Sequence, residues 1–205
     1  MSLYIVTLTE MKAELGLTGT GDDIVLTEWI EGLQARFDEH LNRTLLRSGS
    51  AEEIFDGGVT MLRPKRYPIE SVAEIVIDGD QDWGDANSIL ASDDYLVDKG
   101  RGQIFFGHGD DRWPTGRQCI RLTYAGGYVG TGTSPGTGQT AMPDAIRRAM
   151  FMQLGFEWRN RTTLGIAQVS ADGSSKQAGA DVALALQNRS LMSEVEQTLA
   201  NFVRW

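Results

Sequence analysis

The chain has 205 residues, 41% hydrophobic and 23% charged, with a formal net charge of −9 at pH 7. That length carries one sizeable core, and that acidity disfavours a broad phosphate-gripping surface. One cysteine, Cys119, excludes an intrachain disulfide; no apolar run approaches the roughly 20 residues of a membrane helix, and the opening MSLYIVTLTEMK lacks the basic n-region of a secretory signal.

Thr7-Leu8-Thr9-Glu10 has the form of a capping box, with Thr7 as N-cap and Glu10 reaching back. A short helix over 8–16 follows, closed by Gly16. Asp22 is placed to cap a second helix over 22–43, in which Leu26, Trp29, Ile30, Leu33, Phe37 and Leu41 hold the helical period. Its outer face carries Glu28, Glu31, Asp38 and Glu39 and is acidic.

Between 51 and 128 the period changes to two. Glu53 to Phe55 and Val59 to Leu62 flank Asp56-Gly57-Gly58 and read as a hairpin. Val72 to Ile77 reads as a strand, Tyr95 to Asp98 and Gln103 to Phe106 as a second hairpin, and Gln118 to Tyr124 as a last strand. Short strands at this spacing, without helices between them, predict an antiparallel β unit. Val129 to Gln139, nearly all Gly, Thr and Ser, predicts a flexible loop.

Pro143 then opens a helix over 143–161, PDAIRRAMFMQLGFEWRNR, where its missing N–H costs nothing. Ile146, Ala149, Met150, Leu154 and Trp158 form one stripe and Ala145, Met152 and Phe156 another, so the helix reads as the central one. Arg159 and Arg161 suit its C-terminal dipole end, whereas Arg147 and Arg148 oppose the N-terminal one. These last two imply carboxylates nearby, in the same chain or a neighbour, or are solvated. Thr162 to Ala180 is rich in Gly, Ser and Ala, and 162–189 is expected to be a flexible linker. Leu191, Val195, Leu199, Phe202 and Val203 predict a C-terminal amphipathic helix over 190–205, either folded back on the core or serving as a docking peptide. The fold class is α+β: a small helical core with an inserted antiparallel β unit.

Motifs for chemistry are incomplete. The carboxylates from Asp78 to Asp85 are spaced as in a calcium loop, but Trp83 stands at the sharp-turn Gly position and Ile89 at the bidentate Glu position. A metal-dependent hydrolase would have to use Asp80, Asp82, His108 and Asp110, and no second histidine is spaced to complete the site. Residues 130–140 share the glycine content of a phosphate loop, but Gln139 stands where its lysine belongs. Lys65-Arg66-Tyr67 is too short for a nucleic-acid patch, which disfavours a nucleic-acid-binding module.

The order of parts is informative in itself. Thr7 to Leu15 (TLTEMKAEL), Asp22 to Arg43, Tyr67 to Ile77 (YPIESVAEIVI), Tyr95 to Phe106 (YLVDKGRGQIFF), Ile120 to Tyr128 (IRLTYAGGY) and Met142 to Arg161 follow one another in a way that resembles the head-tail connector, or adaptor and head-completion, proteins of long-tailed bacteriophages. The resemblance implies one connector-like domain over 1–161. It implies a virion protein, assembled in the bacterial host cytoplasm, that forms a ring of about a dozen copies below the portal. The partners implied are further copies of itself, the portal protein and a tail-ward connector or stopper; DNA passes through the lumen without sequence-specific binding, and no membrane is involved. No catalytic residue, metal or cofactor is implied. Glu28, Glu31, Arg147, Arg148 and Arg159 are the candidate subunit-interface residues, and Phe202 and Trp205 the candidate portal contacts. This chain departs from shorter relatives in its larger β region and in Thr162 to Trp205.

Overall fold

The computed structural model describes residues 4–81, 83, 88–107, 111–161 and 191–204. The expected linker 162–189 lies outside them, as do Asp82, His108, Asp110 and Trp205. The fold is α+β, and the described residues divide into a β unit within 42–142 and a helical unit made of 4–41, 143–161 and 191–204.

In the helical unit, α1 (Leu8–Leu15) begins as the capping box predicts: the Glu10 amide donates to Thr7 Oγ1 and the Thr7 amide to Glu10 Oε2. Gly16, at φ 69°, ends it in the left-handed region that glycine enters without a Cβ penalty. The second helix, α2, spans Asp23–His40 and ends three residues before the predicted limit at Arg43. Asn42 takes φ 50°, and the chain leaves the helix before Arg43. Asp22 makes no side-chain cap bond; Asp23 instead holds Lys12 at 2.5 Å, tying α2 to α1.

The central helix, α3, spans Asp144–Arg159. Ile146, Ala149, Met150 and Leu154 on α3 are fully buried, as are Leu26 and Phe37 on α2. Trp29 meets Trp158 edge to face, centroids 5.5 Å apart, which fixes α2 on α3. The C-terminal helix is shorter than expected: α4 spans Ser193–Leu199, and one 3₁₀ turn follows at Ala200–Phe202. It packs on α3. Val195 and Leu199 are fully buried, and the Arg204 amide donates to the Leu41 carbonyl.

The β unit holds two three-stranded antiparallel sheets. In the first, β6 (Ile120–Gly126) lies between β1 (Ser48–Phe55) and β3 (Ile69–Ile77). In the second, β5 (Gln103–Phe106) lies between β2 (Met61–Leu62) and β4 (Tyr95–Asp98). The hairpin β4–β5 forms as predicted, with Asp98 opposite Gln103. The predicted hairpin of Glu53–Phe55 with Val59–Leu62 does not form: β1 pairs with β6, and β2 with β5. The turn between them explains this. The Gly57 amide donates to the Gly116 carbonyl and the Gly58 amide to the Trp113 carbonyl. The turn is therefore bonded to the 113–116 loop, and the chain crosses from one sheet to the other.

Trp113 is buried in the core of this unit and donates through Nε1 to the Ile104 carbonyl. The glycine-rich stretch is closed at its root by two short parallel strands, β7 (Tyr128–Val129) and β8 (Thr140–Ala141).

Candidate functional site

The candidate interface residues fall mainly on two exposed helix faces, both in the helical unit. On α3, Arg148 and Arg159 are exposed and three helical turns apart, and neither makes an ion pair or hydrogen bond among the described residues. Met152 and Gly155 lie between them at helical spacing, and Phe151 stands beside. These residues, with Asp144 and Arg147, floor a cleft of about 420 Å³ that is rimmed by Glu14 of α1. A neighbouring cleft of about 630 Å³ shares Arg148 and Met152 and is walled by Glu194, Gln197 and Thr198 of α4. The two together make the outward face of α3 a trough between α1 and α4.

Arg147 differs from its neighbour. Its Nη2 lies 2.7 Å from Glu10 on α1 and its Nη1 3.2 Å from Asp144, one turn back on α3. The carboxylates expected around it are thus within the chain, and they offset the unfavourable dipole end on which it sits. On α2, Glu28, Glu31 and Glu39 are exposed. Glu31 accepts from the Tyr4 hydroxyl at 3.0 Å, whereas Glu28 and Glu39 have no partner among the described residues. The acidic and basic helices do pair within the chain, but through charges of the opposite sense: Arg36 of α2 reaches Glu157 of α3 at 2.6 Å.

Phe202 is half-buried, and Trp205 lies outside the described residues. The sequence leaves open whether the C-terminal segment packs on the core, and Gln153 ties its start to α3. This side chain is fully buried on α3, accepts the Met192 amide at 2.8 Å, and donates to Glu157 at 2.7 Å. Arg36, Glu157, Gln153 and Met192 form one chain of bonds linking α2, α3 and the start of α4. The only sequence signal for it was a glutamine within an otherwise apolar stripe.

Of the hydrolase candidates only Asp80 is described; it is exposed, in the turn after β3. Among the described residues no group of three His, Cys, Asp or Glu is placed to hold a metal ion. None of the helices described is long and apolar enough to cross a membrane.

No family model matches the sequence, and no curated protein matches it. Solved structures do match in fold. One is the neck of an empty gene transfer agent (GTA) particle computed with C6 symmetry, at 16% identity and a TM-score of 0.50, covering 90% of this chain and 95% of that one. Another is the virion of a native GTA particle, at 12% identity and a TM-score of 0.53, covering 88% of each chain. At these identities the likeness is one of fold.

Proposed function

We propose that this chain is a structural protein of the neck of a phage-like particle: a head-tail connector that closes into a ring below the portal, extends the DNA channel and presents the surface on which the tail-ward connector or stopper assembles. The observation that carries this reading is the fold, which is similar along 90% of the chain to a protein in the neck of a GTA particle. The C6 symmetry of that neck supports a closed cyclic arrangement, which needs two different, complementary patches on each subunit. The net charge of −9 suits a lumen through which DNA slides without adhering. On this reading the protein has no active site and no cofactor. It assembles in the host cytoplasm and resides in the virion, and the end of the chain, with Phe202 and Trp205, faces the portal.

Negative-stain imaging of the purified protein, alone and mixed with portal particles, tests this. Added ring-shaped density on the tail-ward face of the portal is expected. Portals that stay bare at saturating protein, together with particles that lack the chain by mass spectrometry, would refute the connector role.

A further inference from the structure

We infer that the ring is closed by α2 of one copy lying in the α3 trough of the next, with Glu28 and Glu39 opposite Arg148 and Arg159. This rests on the ring reading above and names the surfaces that would form it. The two faces have the same spacing. On α2, Glu28, Gly32, Ala35 and Glu39 follow one another at steps of four, three and four residues; on α3, Arg148, Met152, Gly155 and Arg159 do the same. Eleven residues are about three turns, or roughly 16 Å, on one side of a helix. Two acidic ends around a small-residue centre therefore match two basic ends around Met152 and Gly155. All four charged side chains are exposed and without an ion-pair partner among the described residues.

The small residues permit close approach. A Cβ built on Gly32 or on Gly155 meets no atom within 4 Å, so the space above each is open. Glycine in a helix interior is destabilising relative to alanine, and a backbone brought near a second helix is a reason to keep it. Met152 on the trough floor is the unbranched side chain to enter the hollow over Gly32 and Ala35. The rims carry Glu14 and Glu194, and Arg147, which also lines the cleft, is already paired with Glu10 and Asp144, so an acidic helix finds positive charge not already paired over Arg148 and Arg159, which fixes its register. A protomer cannot satisfy these faces itself, because its own α2 and α3 meet through Trp29 with Trp158 and Arg36 with Glu157. The contact is heterologous, the kind that closes rings.

The test combines charge exchange with cross-linking in the full chain. Arg148→Glu with Arg159→Glu, and separately Glu28→Arg with Glu39→Arg, should each raise the concentration needed for self-association in sedimentation by about tenfold or more, while the melting temperature of the monomer stays unchanged. The fourfold exchange should restore association. A short bismaleimide should link Gly32→Cys to Gly155→Cys in the double variant and in a mixture of the two single variants, but neither single variant to itself; Cys119 is buried and serves as the unreactive background. Failure of the fourfold variant to recover, no link in a wild-type-like assembly, or a protein that stays monomeric and unlinked at its solubility limit would each overturn the inference. The same cross-link obtained in solution by a protein missing from particle necks would sink the neck reading and leave this interface standing. A neck that contains the protein but shows no link between α2 and α3 would do the reverse.

Discussion

Arg147 and Glu10 face each other at 2.7 Å across the helical unit, although 137 residues separate them in sequence. The pair joins the capping-box glutamate of α1 to the first turn of α3, with Asp144 as a second acceptor for the guanidinium. Arg147→Glu would set three carboxylates together at this point. Stability of the monomer should fall by about 1 kcal/mol, the upper end for partly exposed pairs. Arg148→Glu, one residue along and facing the trough, should change it by less than about 0.5 kcal/mol. Denaturant titration of both variants under dissociating conditions checks the contrast. A deficit of equal size in both would mean that the two arginines are equivalent surface charges.

Leu154 is fully buried on the inner side of α3. Leu154→Ala should cost about 2–5 kcal/mol, the loss of transfer energy plus a cavity that rigid helices cannot fill. A thermal melt checks it, and an unchanged midpoint would place this face elsewhere than in the core.

The periodic segments were legible, and the long-range partners were not. The capping box at Thr7, the stop at Gly16, the β4–β5 hairpin and the apolar stripe of α3 all follow from residues within a turn or two of one another, which is the range over which sequence pattern acts. The hairpin at Asp56-Gly57-Gly58 failed for a non-local reason. A Cβ on Gly57 would lie 1.7 Å from the Pro114 carbonyl oxygen, so this glycine is there for the close approach of a distant loop rather than for a tight turn. Arg147 was flagged by its conflict with the helix dipole, yet nothing in the pattern names Glu10 as its partner. Gln153 was not singled out at all, although it is a polar residue among apolar ones, and its partner Met192 lies 39 residues on.

Truncation after residue 189 separates the two readings that the sequence leaves open for the C-terminal helix, packed on the core or free to dock. A docking peptide beyond a linker could be removed without harm. Here α4 buries Val195 and Leu199 completely, and the Met192 amide satisfies Gln153. Each apolar side chain is worth about 1.5–3 kcal/mol when fully buried, and the truncated chain would leave the Gln153 carbonyl without its donor. The truncated protein should melt at a markedly lower temperature and expose apolar surface to a dye such as ANS. Native stability after truncation would show that α4 contributes no core.

In the β unit the Tyr124 hydroxyl donates to Glu53 of β1 and accepts the Arg66 amide at 2.9 Å. The residue is fully buried. Burial, reinforced by the hydrogen bond to Glu53 and by its negative charge, pushes the phenol well above its ordinary value of 10.0. The folded state therefore keeps the proton at pH values where the unfolded chain releases it. The resulting stability is fully present below about pH 10 and is lost as the pH rises from there toward the raised folded value. Tyr124→Phe removes the titrating group and both bonds. At neutral pH it should cost about 1–3 kcal/mol, because the Arg66 amide and the Glu53 carboxylate lose a buried partner. Above pH 10 the gap between wild type and variant should narrow, since only the wild type pays for holding a proton the unfolded state has given up. Denaturant midpoints measured from pH 7 to pH 11 decide the matter: parallel curves for the two proteins would mean that the phenol does not titrate differently on folding, and the bond to Glu53 would then contribute nothing that depends on its proton.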